Sequence, residues 1–131
     1  MDTLGAPDLA ASQRLGAATY AVLWAMADAL TSTGAGLVLE SNFHRELAGP
    51  RLRVLAARGE ATFVHCVAPL PIIKARYAER VRHPGHKDAE RLASWDGDLT
   101  VFEPPAGLRA INVDTTLTVD VRALARRIRE R

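Results

Sequence analysis

Two polar clusters in this sequence carry side chains that can bind anions or small polar ligands. In the first, an apolar run at 37–39 leads into the carboxylate, hydroxyl, amide and imidazole of Glu40, Ser41, Asn42 and His44. A short apolar run bounded by Gly and polar residues predicts a strand that is buried on both faces. Ligands of α/β proteins bind outside the carboxyl ends of such strands. One interpretation is therefore a binding site, and the other is an ordinary polar turn after a strand.

The second cluster is a run of potential cations in the segment 76–88. Arg76 and Arg80 are four residues apart and share one helix face. More basic side chains follow: Arg82, His83, His86 and Lys87. Like charges repel one another unless an anion lies among them, and guanidinium groups stabilise a phosphoryl group in transfer. The segment is a candidate lid over a polyphosphate, and a solvated basic face with Glu79 and Asp88 as partners explains the cluster about equally well.

Metal binding and thiol chemistry have weaker support. His83 and His86 have the spacing of one zinc ligand pair, but no second pair follows. His65 and Cys66 alternate on a predicted strand, so their side chains point to opposite faces. We expect Cys66, the single cysteine, to be a buried packing residue, and no metal site is predicted.

The elements that must position these clusters alternate between helices and strands. One face of the first helix carries Leu15, Thr19, Val22, Met26 and Leu30. Helices are predicted over 12–33, from Pro50 in a first turn to about 58, and over 71–80, 88–95 and 119–131; strands are predicted over 37–41, 62–68 and 109–114. Such alternation implies parallel β-α-β units. The prediction is an α/β fold that forms a single domain over residues 1–131.

Composition narrows the class of partner. The chain is 48% hydrophobic and 24% charged, as globular proteins are, and its net charge of +2 is too small to indicate a nucleic-acid partner. No apolar run approaches the roughly 18 residues of a membrane span, and the first residues do not resemble a signal peptide. We expect a cytoplasmic protein that binds neither nucleic acid nor a membrane. Arginine far outnumbers lysine, which suits an anion site.

Four stretches of the sequence together resemble a known family: Val38–Phe43, Phe63–Cys66, Arg76–Asp88 with its Arg-His-Pro-Gly-His core, and Val113–Thr116. They are similar to the AAA-type P-loop small-molecule kinases, the group of zeta-toxin-like, chloramphenicol-phosphotransferase-like and gluconate-kinase-like proteins. The resemblance covers nearly the whole chain from about residue 12. It implies a three-layer P-loop NTPase-like parallel sheet and ATP-dependent phosphorylation of a small hydroxylated or amine-bearing substrate, with ATP and Mg²⁺ as cofactors.

The resemblance also implies roles for individual residues. Catalysis would involve Glu40, Arg80 and Arg82, since Glu40 stands where such kinases place a carboxylate near magnesium or the acceptor hydroxyl. The substrate pocket would include Asn42 and His44. The nucleotide would be held by four side chains: Arg76, Arg80, His83 and Thr115.

One family feature is absent from the sequence. Such kinases begin with a strand and a Gly-x-x-x-x-Gly-Lys-Ser/Thr loop that cradles the phosphates, and these 131 residues contain no such loop. We therefore expect an incomplete sheet without its first strands, the C-terminal part of a longer kinase-like protein, and impaired or absent activity. The strands of Glu40 and Cys66 would then pair directly or gain a partner in a homodimer through their unpaired edges. The alternative function is a non-catalytic scaffold that oligomerises or binds a partner through those edges.

Overall fold

The fold of the chain is mixed α and β. A computed structural model describes residues 8–81 and 86–130. In this part of the chain five α-helices and two strands follow one another: α1 (Leu9–Ser32), α2 (Arg45–Ala56), β1 (Phe63–Val67), α3 (Leu70–Glu79), α4 (Asp88–Ser94), β2 (Ala110–Asp114) and α5 (Val121–Arg129). These elements confirm the predicted α/β class. Across the described ranges, no helix combines the length and the apolar character that crossing a bilayer requires.

β1 and β2 are parallel neighbours, as their β-branched and aromatic residues and the helices between them predict. The register places Phe63 opposite Ala110 and Val67 opposite Asp114. A parallel pair needs a long crossover connection, and here that connection carries α3 and α4. Alternate residues of β2 are buried, so this strand packs one of its faces against the protein.

The strand predicted over 37–41 is wrong. Residues 35–40 have no regular secondary structure, and Val38 is 95% exposed. Strand-forming residue types are a local property, whereas a strand also needs a neighbour for its N–H and C=O groups. The described sheet has two strands, so direct pairing of this segment with β1 does not occur and Glu40 follows an irregular segment.

Two smaller predictions also fail. Pro50 lies inside α2 rather than in its first turn, because this helix begins at Arg45. Cys66 is exposed, although Val113, its neighbour in the register of the sheet, is buried.

The residues that flank α1 explain where this helix begins and ends. The carboxylate of Asp8 accepts a hydrogen bond of 2.6 Å from the N–H of Ala11, which caps the first turn. Gly34 follows the helix with a φ of +77°, the left-handed conformation that ends many helices. The predicted apolar face of α1 is exposed at all five of its positions, Leu15, Thr19, Val22, Met26 and Leu30.

The chain divides into two compact units. The first comprises Met1–Leu37 and Leu70–Asp98, and the second comprises Val38–Pro69 and Leu99–Arg131. α1, α3 and α4 therefore belong to the first unit, and α2, the sheet and α5 belong to the second. The single domain over 1–131 stays a prediction.

Long arginine side chains connect the elements within each unit. In the first unit, Arg91 of α4 donates a hydrogen bond of 3.0 Å to the hydroxyl of Ser12 in α1. In the second, Arg109 donates to the Thr62 hydroxyl before β1 and to the carbonyl oxygens of Arg127 and Ile128 in α5. The Arg109 guanidinium therefore occupies the carboxyl end of α5, where a cation complements the helix dipole.

Candidate functional site

The cationic cluster of the first unit is organised around Arg80. This residue follows the last turn of α3, and its Nε and Nη2 donate to the two carboxylate oxygens of Asp88 at 2.9 and 3.0 Å. Its guanidinium lies over the ring of Tyr77, with Cζ 3.5 Å from the ring centroid. The ion pair is half-buried, since the two side chains are 33% and 18% exposed. Asp88 thus occupies the face of Arg80 that a phosphate would contact.

The other basic residues of the predicted lid lie at the end of α3, outside the described residues, or just before α4. Arg76 lies in the last turn of α3 on an exposed position. Arg82 and His83 lie outside the described residues. The backbone oxygen of His86 accepts a hydrogen bond of 2.9 Å from Arg91, so this position helps to hold the start of α4.

Tyr77 is the group of the cluster whose titration is perturbed. Partial burial raises the pKa of its hydroxyl above the ordinary value of 10.0, and the charge of Asp88 raises it further. The nearby guanidiniums of Arg80 and Arg91 act in the opposite direction and are weaker. The hydroxyl therefore stays protonated throughout the neutral range.

The predicted substrate residues Asn42 and His44 and the predicted catalytic residue Glu40 are in the second unit. Glu40 and Asn42 are exposed before α2. His44 directly precedes α2, and its ring meets that of Phe102 edge to face at a centroid distance of 6.3 Å. The Nδ1 atom of His44 is buried and has no hydrogen-bond partner in the part of the chain that the structure describes. An unpaired buried polar atom costs about 1–3 kcal/mol, so this imidazole is the one predicted substrate residue with unmet hydrogen-bonding capacity.

Thr115, the predicted nucleotide contact, has a role within the sheet. Its N–H and its hydroxyl both donate to the carbonyl oxygen of Val67, at 2.9 and 3.0 Å. The next residue, Thr116, donates from its N–H and hydroxyl to Oδ1 of Asp114 at 2.8 and 2.7 Å. The two Thr115 bonds hold the carboxyl ends of β1 and β2 together, at the edge of the sheet where ligands of α/β proteins bind, and the Thr116 bonds shape the turn that follows β2.

A cavity over one face of the sheet was not predicted. It has a volume of about 460 Å³ and is lined by His65, Val67, Glu103, Pro104, Ala110 and Asn112. His65 and Asn112 are opposite one another in the register of β1 and β2, so they share a face. Strand alternation alone places each of them on a face, but the sequence does not reveal that the two strands are neighbours in this register.

The side chains that line the cavity differ in how they are held. Glu103 accepts a hydrogen bond of 3.0 Å from Arg45, in an ion pair that is about half exposed. The rings of Phe63 and His65 meet at a centroid distance of 6.2 Å. The cavity therefore offers an imidazole, an amide and a carboxylate that is paired with an arginine, beside apolar side chains. This lining suits a small polar molecule better than a polyphosphate.

The predicted site residues divide between the two units. Arg76 and Arg80 belong to the first, and the remaining described ones belong to the second: Glu40, Asn42, His44 and Thr115. Each unit is defined by its own contacts, so the shared site of the sequence analysis stays a prediction.

The structure adds no evidence for a metal site among the residues that it describes, and magnesium stays a prediction. Within 8–81 and 86–130 there is no group of three or more His, Cys, Asp or Glu side chains that could hold a metal ion. The hydroxyl of Thr115 donates a hydrogen bond to the carbonyl oxygen of Val67.

Comparison with known proteins adds no assignment, since no family model, curated protein or solved structure matches the chain.

Proposed function

We propose that this chain forms the body of an ATP-dependent phosphotransferase of the P-loop kinase class, acting on a small hydroxylated or amine-bearing substrate in the cytoplasm. The observation that carries the proposal is the parallel pairing of β1 with β2 across a helical crossover. In such a fold the carboxyl ends of the strands form the ligand-binding edge. The Thr115–Val67 bonds support this interpretation, because they bring two strand ends together at that edge.

The cations of the first unit supply the phosphate contacts in this proposal. Arg80 and Arg76 would bind the nucleotide phosphates, with Arg82 and His83 assigned on the sequence alone. Glu40 would lie near magnesium or the acceptor hydroxyl, and Asn42 and His44 would line the acceptor pocket. Because the phosphate-cradling loop is absent from these residues, the chain alone should transfer phosphoryl groups poorly or not at all.

Calorimetric titration of ATP with magnesium tests the proposal. It uses the 131-residue chain and a form extended by the in-frame codons upstream of Met1. We expect the chain alone to bind with a dissociation constant of about 1 mM or weaker, equal to about −4 kcal/mol, and the extended form to bind much more tightly. Equal, weak binding by both forms would overturn the kinase assignment.

A matched pair of variants locates the phosphate contacts. Arg80→Gln should weaken binding of inorganic tripolyphosphate to the chain a few-fold, as expected for a partly exposed ion pair worth about 1 kcal/mol. Arg45→Gln removes an arginine that is also in an ion pair, but in the other unit. It should leave tripolyphosphate binding unchanged, and equal losses in both variants would indicate a non-specific charge effect.

A non-catalytic scaffold is the second candidate, and the open sheet favours it. A sheet of two parallel strands leaves both outer edges without a neighbour in the described chain, and all-parallel sheets are otherwise almost always larger and covered on both faces. In this proposal the chain oligomerises or binds a partner through those edges. Light scattering over a range of concentrations tests self-association, and a mass that stays monomeric throughout would count against that form of the scaffold.

A further inference from the structure

The outer edge of β1 is an unused row of backbone hydrogen-bonding groups. At one end of the ladder the N–H of Phe63 donates to Arg109, and at the other the carbonyl oxygen of Val67 accepts from Thr115. Because these groups alternate along a strand, Val64 and Cys66 direct their N–H and C=O groups away from β2. No third strand lies there in the described part of the chain.

This edge also lacks the features that keep strand edges apart. Natural edge strands carry Lys, other charges, Pro or a bulge, each of which discourages pairing with another chain. β1 consists of Phe63, Val64, His65, Cys66 and Val67 and contains no Lys, Arg, Asp, Glu or Pro. β2 differs, since Arg109 precedes it and Asp114 ends it. The edge of β1 is therefore the one open to an additional strand.

The segment 36–40 is the matching unused strand former. Its centre is Leu37-Val38-Leu39, and Val38 is 95% exposed. None of its backbone groups makes a hydrogen bond with the described residues. Apolar, β-branched sequence of this kind is stable in a protein as a paired strand rather than as an exposed loop. A segment that needs a sheet edge and an edge that needs a strand thus occur in the same chain without pairing to each other.

We propose that residues 37–39 pair with the outer edge of β1 in a second copy of this chain, and that the exchange is reciprocal. Each copy gives one segment and receives one, so the contact closes as a two-fold dimer. Each sheet gains a third strand, the number at which a sheet becomes independently stable. This inference rests on the scaffold candidate and names its partner as the chain itself.

Val38→Asp tests the inference without endangering the fold. The side chain of Val38 makes almost no contact within the chain, so the variant should unfold at the same denaturant concentration as the wild type. The matched control is Val81→Asp, because Val81 is 98% exposed and lies outside both proposed partners. By light scattering up to ~0.5 mM, a concentration suited to weak dimers, we expect wild type and Val81→Asp to reach the dimer mass and Val38→Asp to remain monomeric.

A disulfide identifies which chain supplies the strand. Cys66 is exposed and is the single cysteine, so a second thiol at Val38→Cys or Leu39→Cys reports whether the segment lies beside β1 of its own chain or of a second copy. One of these two positions shares the face of Cys66, because side chains alternate along a strand. After mild oxidation we expect a covalent dimer that reducing agent dissolves, and Val81→Cys should give none.

The other outcomes separate the inference from the scaffold function. A disulfide within the monomer would show that the segment pairs with its own sheet, which overturns the exchange. A dimer that survives Val38→Asp would also overturn it and leave self-association through another surface. A wild-type chain that is monomeric at every concentration would overturn both the exchange and the self-associating scaffold.

Discussion

Asp88→Asn is the substitution that tests most directly how the cationic cluster is held. In the wild type, Asp88 receives two hydrogen bonds from Arg80, whose guanidinium also stacks on Tyr77. Asparagine keeps one acceptor oxygen but loses the second acceptor and the negative charge. The variant therefore removes the bidentate geometry and the charge attraction while it leaves the volume of the side chain unchanged.

The exposure of the pair sets the size of the effect. Hydrogen bonds to charged groups contribute about 1.5–3 kcal/mol when buried, whereas exposed ion pairs contribute about 0.2–1 kcal/mol. Arg80 and Asp88 lie between these limits, at 33% and 18% side-chain exposure. We expect Asp88→Asn to lower the free energy of unfolding by about 1–2 kcal/mol. It should at the same time strengthen tripolyphosphate binding, because Arg80 loses its internal anion.

A double-mutant cycle measures the coupling between the two side chains. Urea unfolding of Asp88→Asn, Arg80→Gln and the double variant should give an interaction free energy of about 1 kcal/mol. The control cycle uses Arg45→Gln and Glu103→Gln, whose side chains are 40% and 53% exposed, and should give less than about 0.5 kcal/mol. If the two cycles give the same coupling, burial does not strengthen the Arg80–Asp88 pair and the reasoning is refuted.

Four further predictions follow from single contacts. The pKa of the Tyr77 hydroxyl is raised in the folded protein, so its contribution to the free energy of unfolding should be complete below pH 10 and should decline at higher pH. As the pH is increased above 10, the urea midpoint of the wild type should therefore decrease more than that of Tyr77→Phe. Thr115→Val should cost about 1 kcal/mol in urea unfolding, since one hydroxyl bond between strand ends is lost while the backbone bond remains. Asp120→Ala should cost about 1 kcal/mol through the lost cap of α5, seen as reduced helicity by circular dichroism. Cys66 should react with a thiol reagent in the native state as fast as in urea, and strong protection would contradict its exposure.

Local patterns predicted most of the elements but not their neighbours. β1 and β2 were predictable because runs such as Phe63–Val67 combine β-branched and aromatic residues between Pro and Gly boundaries. The segment 37–39 has the same local character as the strands, and only the missing partner distinguishes it. Pairing is a property of the whole chain, which a local pattern does not contain.

The candidate site shows the same division. The spacing of Arg76 and Arg80 places both in one stretch of helix and its end, as α3 confirms. The solvated-face alternative names Asp88 as a partner of these cations, but the sequence did not show that it would bind Arg80 in particular. The cavity beside His65 and Asn112 was equally hidden, because it depends on the register between strands that are 47 residues apart.

The discontinuous second unit has a consequence for how the chain is synthesised. β1 leaves the ribosome before the whole of Leu70–Asp98, an intervening stretch that belongs to the other unit. Only after β2 has been made does β1 acquire its neighbour, and only after α5 has been made does Arg109 reach its carbonyl oxygens. Pairing over so long a sequence separation is slow. During synthesis, β1 is therefore an unpaired apolar strand until β2 has been made. In that interval chaperones or neighbouring chains can bind it.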